Sequence, residues 1–141
     1  RTPVAVDLTD GQALARAADR IIAARPSIDM VIYNAGVSQI GPFAEADAAS
    51  HRRVFEINYF AAVELARAFL HPIRASRGTH LAISSVAGFA PLYGRTAYAA
   101  SKHAMQGFFG SLQRPPPKPS CAGSSGGRSS SPWAAWPVLP R

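Results

Sequence analysis

The stretch HLAISSVAGFAPLYGRTAYAASK, residues 80–102, changes its periodicity midway. It begins as a mostly apolar run that closes on Ser84-Ser85, the pattern of a short buried strand with a polar end. Gly88, Pro91 and Gly94 then interrupt any regular repeat. From Thr96 onward Ala100, Ala104, Met105, Phe108 and Leu112 recur at helical spacing, which predicts a helix over 96–112. Tyr98 and Lys102 stand four apart on that helix and therefore share a face.

Outward from this segment the same alternation repeats. Residues 4–8 (VAVDL) predict a short strand, and Thr9 to Gln12 offers a capping box for a helix carrying Leu14, Ala17, Ala18, Ile21 and Ile22. Pro26 follows the expected helix end. Residues 28–33 (IDMVIY) predict a second strand, closed by Asn34-Ala35-Gly36. A long helix is predicted over about 47–70, with Pro72 beyond it. Val54, Ile57, Ala61, Leu65 and Phe69 line one face of it, and Phe55, Tyr59, Ala62, Ala66 and Leu70 a neighbouring one. So broad an apolar surface contacts more than its own sheet. Strands alternating with helices predict an α/β fold built on a parallel sheet.

Bulk properties bound the reading. A chain of 141 residues has room for one domain with a proper core. No apolar run approaches a membrane span, and the first residues lack a signal-peptide pattern. A lone cysteine, Cys121, excludes an internal disulfide and fits a reducing compartment, so a cytoplasmic setting is expected. His51, His71, His80 and His103 have no metal-ligand spacing, and no metal site is expected.

The net charge of +7 is unevenly spread: residues 1–113 hold eleven of the fifteen basic residues and all eight acidic ones. Residues 114–141 carry the other four basic residues, seven of twelve prolines, both tryptophans and the cysteine. That composition cannot bury a core, so the segment is expected to be a disordered tail, produced by a frameshift near Gln113. The domain is expected over 1–113, and no nucleic-acid or membrane partner is expected.

Ligands of open α/β sheets bind beyond the carboxyl ends of the strands. Here those ends carry Asp7, Asn34-Ala35-Gly36 and Ser84-Ser85. Singly, such residues are ordinary turn formers. Together, Asp7, Tyr33-Asn34-Ala35-Gly36, Asn58, Ser84-Ser85-Val86-Ala87-Gly88 and Tyr98-Ala99-Ala100-Ser101-Lys102 resemble the short-chain dehydrogenase/reductase family. The spacing matches too, with thirteen residues from Ser85 to Tyr98 and four from Tyr98 to Lys102.

The resemblance implies a Rossmann-like doubly wound parallel sheet, present here in part as the third to fifth strands with their helices. It implies an NAD(P)-dependent oxidoreductase that moves hydride between a carbonyl or alcohol substrate and NAD or NADP. Tyr98 would exchange a proton with the substrate oxygen, and Ser85 would hydrogen-bond that oxygen. Lys102 would lower the tyrosine pKa and, with Tyr98, hold the cofactor at the nicotinamide ribose, and Asn58 would position a water leading to the lysine. Asp7 and Leu8 would meet the adenine, while Asn34, Ala35 and Gly36 would line the cofactor ribose. Tyrosine is ordinarily a sluggish proton-transfer group at neutral pH. A unit charge about 5 Å away, at an effective dielectric of about 20, stabilises a phenolate by roughly 3 kcal/mol, enough to suit it to acid/base work.

The family's G-x-x-x-G-x-G turn does not occur in the 141 residues. Little or no turnover is therefore expected of the fragment by itself. The alternative is a non-catalytic module that pairs through its long helices. The resemblance also implies a homo-oligomer formed through those two helices, and a small-molecule substrate.

Overall fold

The computed structural model describes residues 3–25 and 27–112, so the expected tail lies outside the described residues. Four helices and two strands carry the architecture: α1 (Gly11–Ala24), β1 (Met30–Tyr33), α2 (Ala48–Phe55), α3 (Ala61–Ser76), β2 (Thr79–Ala82) and α4 (Thr96–Leu112). A π-helical turn, Glu56–Phe60, joins α2 to α3 without a break.

The strands are parallel, in register Met30 to Thr79 and Tyr33 to Ala82. Hydrogen bonds from Thr79 N to Asp29 O (2.9 Å) and from Ile83 N to Tyr33 O (3.0 Å) prolong the pairing at either end. The α/β class with a parallel sheet is therefore as the alternation predicts. Val31, Tyr33, His80 and Ala82 point toward the helical layer, while Met30, Ile32 and Leu81 are exposed on the other side.

The predicted strand at residues 4–8 does not form. It has no ladder partner among the described residues, and its end turns through Asp10 N to Asp7 O at 3.2 Å. An extended segment without a neighbour cannot satisfy its backbone as a strand. The predicted cap also moves by one residue. Asp10, not Thr9, caps α1 by accepting from Ala13 N at 2.9 Å, because Thr9 donates both its N–H and its hydroxyl to Asp7.

Leu14, Ala17 and Ala18 form the buried stripe of α1, and Ala18 packs with Phe69 and Ile73 of α3. That contact explains the third difference. The long helix continues through Pro72 to Ser76 rather than stopping before it. Pro72 removes one backbone donor, but it sits on the buried face with Phe69 and Ile73, where packing outweighs one lost hydrogen bond.

Arg77, left-handed at φ 57°, then ends α3, and Gly78 N–H bonds Ile73 O at 2.8 Å. A β-carbon on Gly78 would stand 2.5 Å from the Asp29 carbonyl oxygen, so only glycine lets α3 turn directly into β2. A second cluster, Tyr33, Ala62, Ala66 and Met105, seats α3 and α4 on the sheet. No helix among the described residues is long and apolar enough to cross a membrane.

Candidate active site

The carboxyl ends of β1 and β2 open side by side, and α4 lies across them. Asn34, Ala35 and Gly36 follow β1 directly and are exposed, so their backbone is available to a ligand. Ser84 and Ser85 follow β2, and the short turn Val86–Gly88 packs against α4. Tyr98 lies in the first turn of α4, Lys102 one turn further on.

Lys102 is only 4% exposed, and its Nζ donates to the Ile83 carbonyl at 2.9 Å. The ammonium lies 5.9 Å from the centroid of the Tyr98 ring. A lysine this buried is unusual, and its described partner is a backbone carbonyl rather than a carboxylate. Burying it without an ionic partner is unfavourable for folding.

Asn58 occupies the π-turn and is 1% exposed. Such turns arise where an extra residue is accommodated in a helix, and they often present a functional side chain. Its Oδ1 accepts from Val37 N at 2.8 Å, and its Nδ2 donates to Val37 O at 2.9 Å and to Ser101 Oγ at 3.0 Å. Ser101, fully buried, donates in turn to the Tyr98 carbonyl at 2.8 Å. The carboxamide therefore pins the loop after β1 to the helical turn between Tyr98 and Lys102.

A β-carbon on Gly36 would lie 3.3 Å from Asn58 Oδ1 and 3.8 Å from Lys102 Nζ. Glycine at this position keeps side-chain atoms out of the space beside Asn58 Oδ1 and Lys102 Nζ. Leu8 lines a small cavity with Asn34, Ala35 and Ile57, so it is drawn to the same strand end. The Asp7 carboxylate is exposed, and its Oδ1 accepts from the Thr9 N–H and hydroxyl, which hold it below the usual carboxylate range.

On the other side Ser85 Oγ accepts from Ala87 N at 3.2 Å, and Ser84 Oγ accepts from Gln106 Nε2 at 2.9 Å. A β-carbon on Gly88 would fall 2.8 Å from Ser84 Oγ and 3.3 Å from both Gln106 Cγ and the Lys102 carbonyl. Tyr33 is buried behind the site, its hydroxyl 2.7 Å from His80 Nδ1. Burial pushes the Tyr33 phenol well above its ordinary value and holds His80 below the usual imidazole range. Among the described residues no three His, Cys, Asp or Glu side chains cluster to hold a metal.

The sequence reading missed Ser101, the Val37 backbone, the Ile83 carbonyl and Gln106. Ser101 left a trace, as a polar residue among alanines on the face that turns inward. The other three are ordinary residues whose role exists only through contacts made across the fold.

A family model described as short chain dehydrogenase matches residues 1–117. Dehydrogenase/reductase SDR family member 7B of Bos taurus is 43% identical over 111 residues, covering 78% of this chain and 34% of the relative. The chain thus spans about a third of the length of that relative. Among solved structures, a short-chain dehydrogenase from Streptomyces avermitilis is 32% identical at a TM-score of 0.74, covering 77% of this chain and 41% of its own. A metagenomic short-chain oxidoreductase in complex with NADP is 33% identical at a TM-score of 0.73, covering 77% and 50% respectively. The fold, the order of site residues along it and these similarities converge, and the chain belongs to the short-chain dehydrogenase family.

Proposed function

We propose that this chain carries the acid/base and ribose-binding part of an NAD(P)-dependent carbonyl/alcohol oxidoreductase. The observation behind it is Lys102, buried without a carboxylate and facing both the Tyr98 ring and the gap left by Gly36. When bound, the nicotinamide supplies or accepts the hydride. Tyr98 gives its proton to the substrate oxygen in reduction and takes it back in oxidation. Lys102 stabilises charge developing on the tyrosine oxygen and donates to the ribose hydroxyls. Ser85, at the end of β2, donates to the substrate oxygen.

Asn58 fastens the β1 loop to α4 and so keeps the tyrosine and lysine aligned with the ribose cradle. Asn34, Ala35 and Gly36 present backbone to the cofactor, and Leu8 packs beside them. Asp7, the proposed adenine acceptor, engages Thr9 through Oδ1 and would accept from the adenine amino group through Oδ2. NADP and NAD are both compatible with these residues.

The test is single-turnover oxidation of NADPH by a ketone with protein in excess, comparing the chain with Tyr98→Phe and Lys102→Ala. Steady turnover by these 141 residues is expected to be small, because they hold no glycine-rich turn to seat the cofactor pyrophosphate. Tyr98→Phe should cut the single-turnover rate by about 10²–10⁴-fold while leaving NADPH binding in place. Lys102→Ala should weaken both. A Tyr98→Phe rate equal to that of the parent chain would end the proposal.

A second reading, a module that pairs through its long helices, draws on a separate feature. Tyr59 stacks edge-on with Phe60 and with Phe108 of α4, and Phe60 remains about half exposed. An aromatic seam running over two helices suits a homo-oligomer, with or without catalysis.

A further inference from the structure

Around the mouth of the site the exposed surface is apolar to an unusual degree. Val86, next to Ser85, is 77% exposed, Phe89 75%, Tyr93 97% and Ile40 72%, with Val37 and Leu92 also exposed. These residues sit on two loops that are tied together. Gly41 N donates to Gly94 O at 2.9 Å, and Arg95 Nη1 donates to Ser38 Oγ at 3.0 Å. Val37 is itself held by Asn58, one hydrogen bond from the Tyr98 turn. The apolar rim is thus physically continuous with the residues proposed to do the chemistry.

What the rim lacks is equally informative. Neither loop carries a charged residue over 36–43 or 86–94. Arg95 is the first charge beyond them, and its guanidinium is engaged by Ser38. Gln39 turns its Oε1 inward, where it finds no partner among the described residues. A sugar phosphate or a dicarboxylate would find no charged side chain within these loops and only Arg95 at their edge, its Nη1 already donating to Ser38. A hydrocarbon chain would cover apolar groups that otherwise face water, and exposed apolar patches of this kind mark binding surfaces.

We infer that the substrate is an apolar ketone or secondary alcohol with an extended hydrocarbon part, its oxygen at Tyr98 and Ser85 and its chain lying over Ile40, Leu92 and Tyr93. This substrate class rests on the function proposed above, but the binding it describes can be measured without turnover. The probes are 2-butanone, 2-hexanone, 2-octanone and 2-decanone, titrated against the full chain by saturation-transfer NMR in the presence of NADP⁺.

Affinity should rise about two- to fourfold for each added methylene that the rim covers. Ile40→Asp and Tyr93→Asp, both on exposed loop positions that leave the core intact, should flatten that rise. An affinity independent of chain length, or binding to none of the four ketones, would overturn the inference. So would a rise that persists in both variants, because the hydrocarbon would then lie elsewhere, on the open sheet face or in a seam between two copies. A rise abolished by the variants, with a single-turnover rate unchanged in Tyr98→Phe, would keep the apolar site and reject the acid/base reading. Transfer without chain-length dependence would do the reverse.

Discussion

Asn58 and Ser101 are joined by a 3.0 Å hydrogen bond that fastens the π-turn after α2 to the turn of α4 between Tyr98 and Lys102. Both side chains are essentially inaccessible to solvent. Because Ser101 also donates to the Tyr98 carbonyl, the link sets the rotation of α4 about its axis as well as its distance from β1.

Ser101→Ala should therefore destabilise the fold by about 1–2 kcal/mol, the range for stranding a buried donor. Asn58→Ala should reach about 2–4 kcal/mol, since the Val37 N–H, the Val37 carbonyl and Ser101 all lose a partner. Urea denaturation of the two variants measures both. Equal effects would show that the Val37 contacts contribute nothing.

Glycine substitutions should act in opposite directions. Gly78→Ala puts a methyl group 2.5 Å from a backbone oxygen of Asp29, which cannot move without breaking the strand pairing, and should reduce stability by at least about 2 kcal/mol. Gly107→Ala, in the interior of α4 with nothing within 4 Å, should add about 0.5–1 kcal/mol. Thermal unfolding of the pair reads both signs.

Gly88→Ala tests the seat of the two serines. Its β-carbon would meet Ser84 Oγ at 2.8 Å and both Gln106 Cγ and the Lys102 carbonyl oxygen at 3.3 Å, so Ser84 must shift against its bond from Gln106. The expected result is a loss of about 1–3 kcal/mol together with displaced amide resonances for Ser84 and Ser85. Unmoved resonances would show that the turn absorbs the methyl group by itself.

The Tyr33–His80 contact makes stability depend on pH from both sides. Burial lowers the folded-state value of His80, so its contribution is present above about pH 6.5 and is lost as pH falls through the folded value. Burial raises Tyr33, so its contribution is present below about pH 10 and is lost as pH climbs beyond. Urea midpoints should accordingly be flat between about pH 7 and 9 and fall on either side. His80→Asn keeps an acceptor near the Nδ1 position and should remove the acid-side fall. A fall unchanged in that variant would assign it to other groups.

The proposed pairing of helices predicts that Phe60→Glu shifts sedimentation toward the monomer while leaving unfolding midpoints within about 0.5 kcal/mol, as expected of a half-exposed position. A monomeric parent chain would remove the oligomer from consideration.

Much of the fold was legible because it depends on local period. The helix expected from about Thr96 begins at Thr96 and continues to the last described residue, since its apolar spacing, the breakers before it and its polar start all agree. Both paired strands were found within two or three residues of their ends. Residues 4–8 misled, because a strand is defined by its neighbour and a sequence pattern reports only willingness to pair. Pro72 misled for the opposite reason, since a local breaker was overruled by burial against α1.

The site divides along the same line. The sequence by itself determined which chemical groups are available and which of them share a helix face, because four residues along a helix is one turn wherever the helix lies. Only the tertiary structure decided that Asn58 clamps Val37 to Ser101, that the Ile83 carbonyl holds Lys102 and that Gln106 braces Ser84. Those contacts are settled by the packing of helices on a sheet, where distance in space has no fixed relation to distance along the chain.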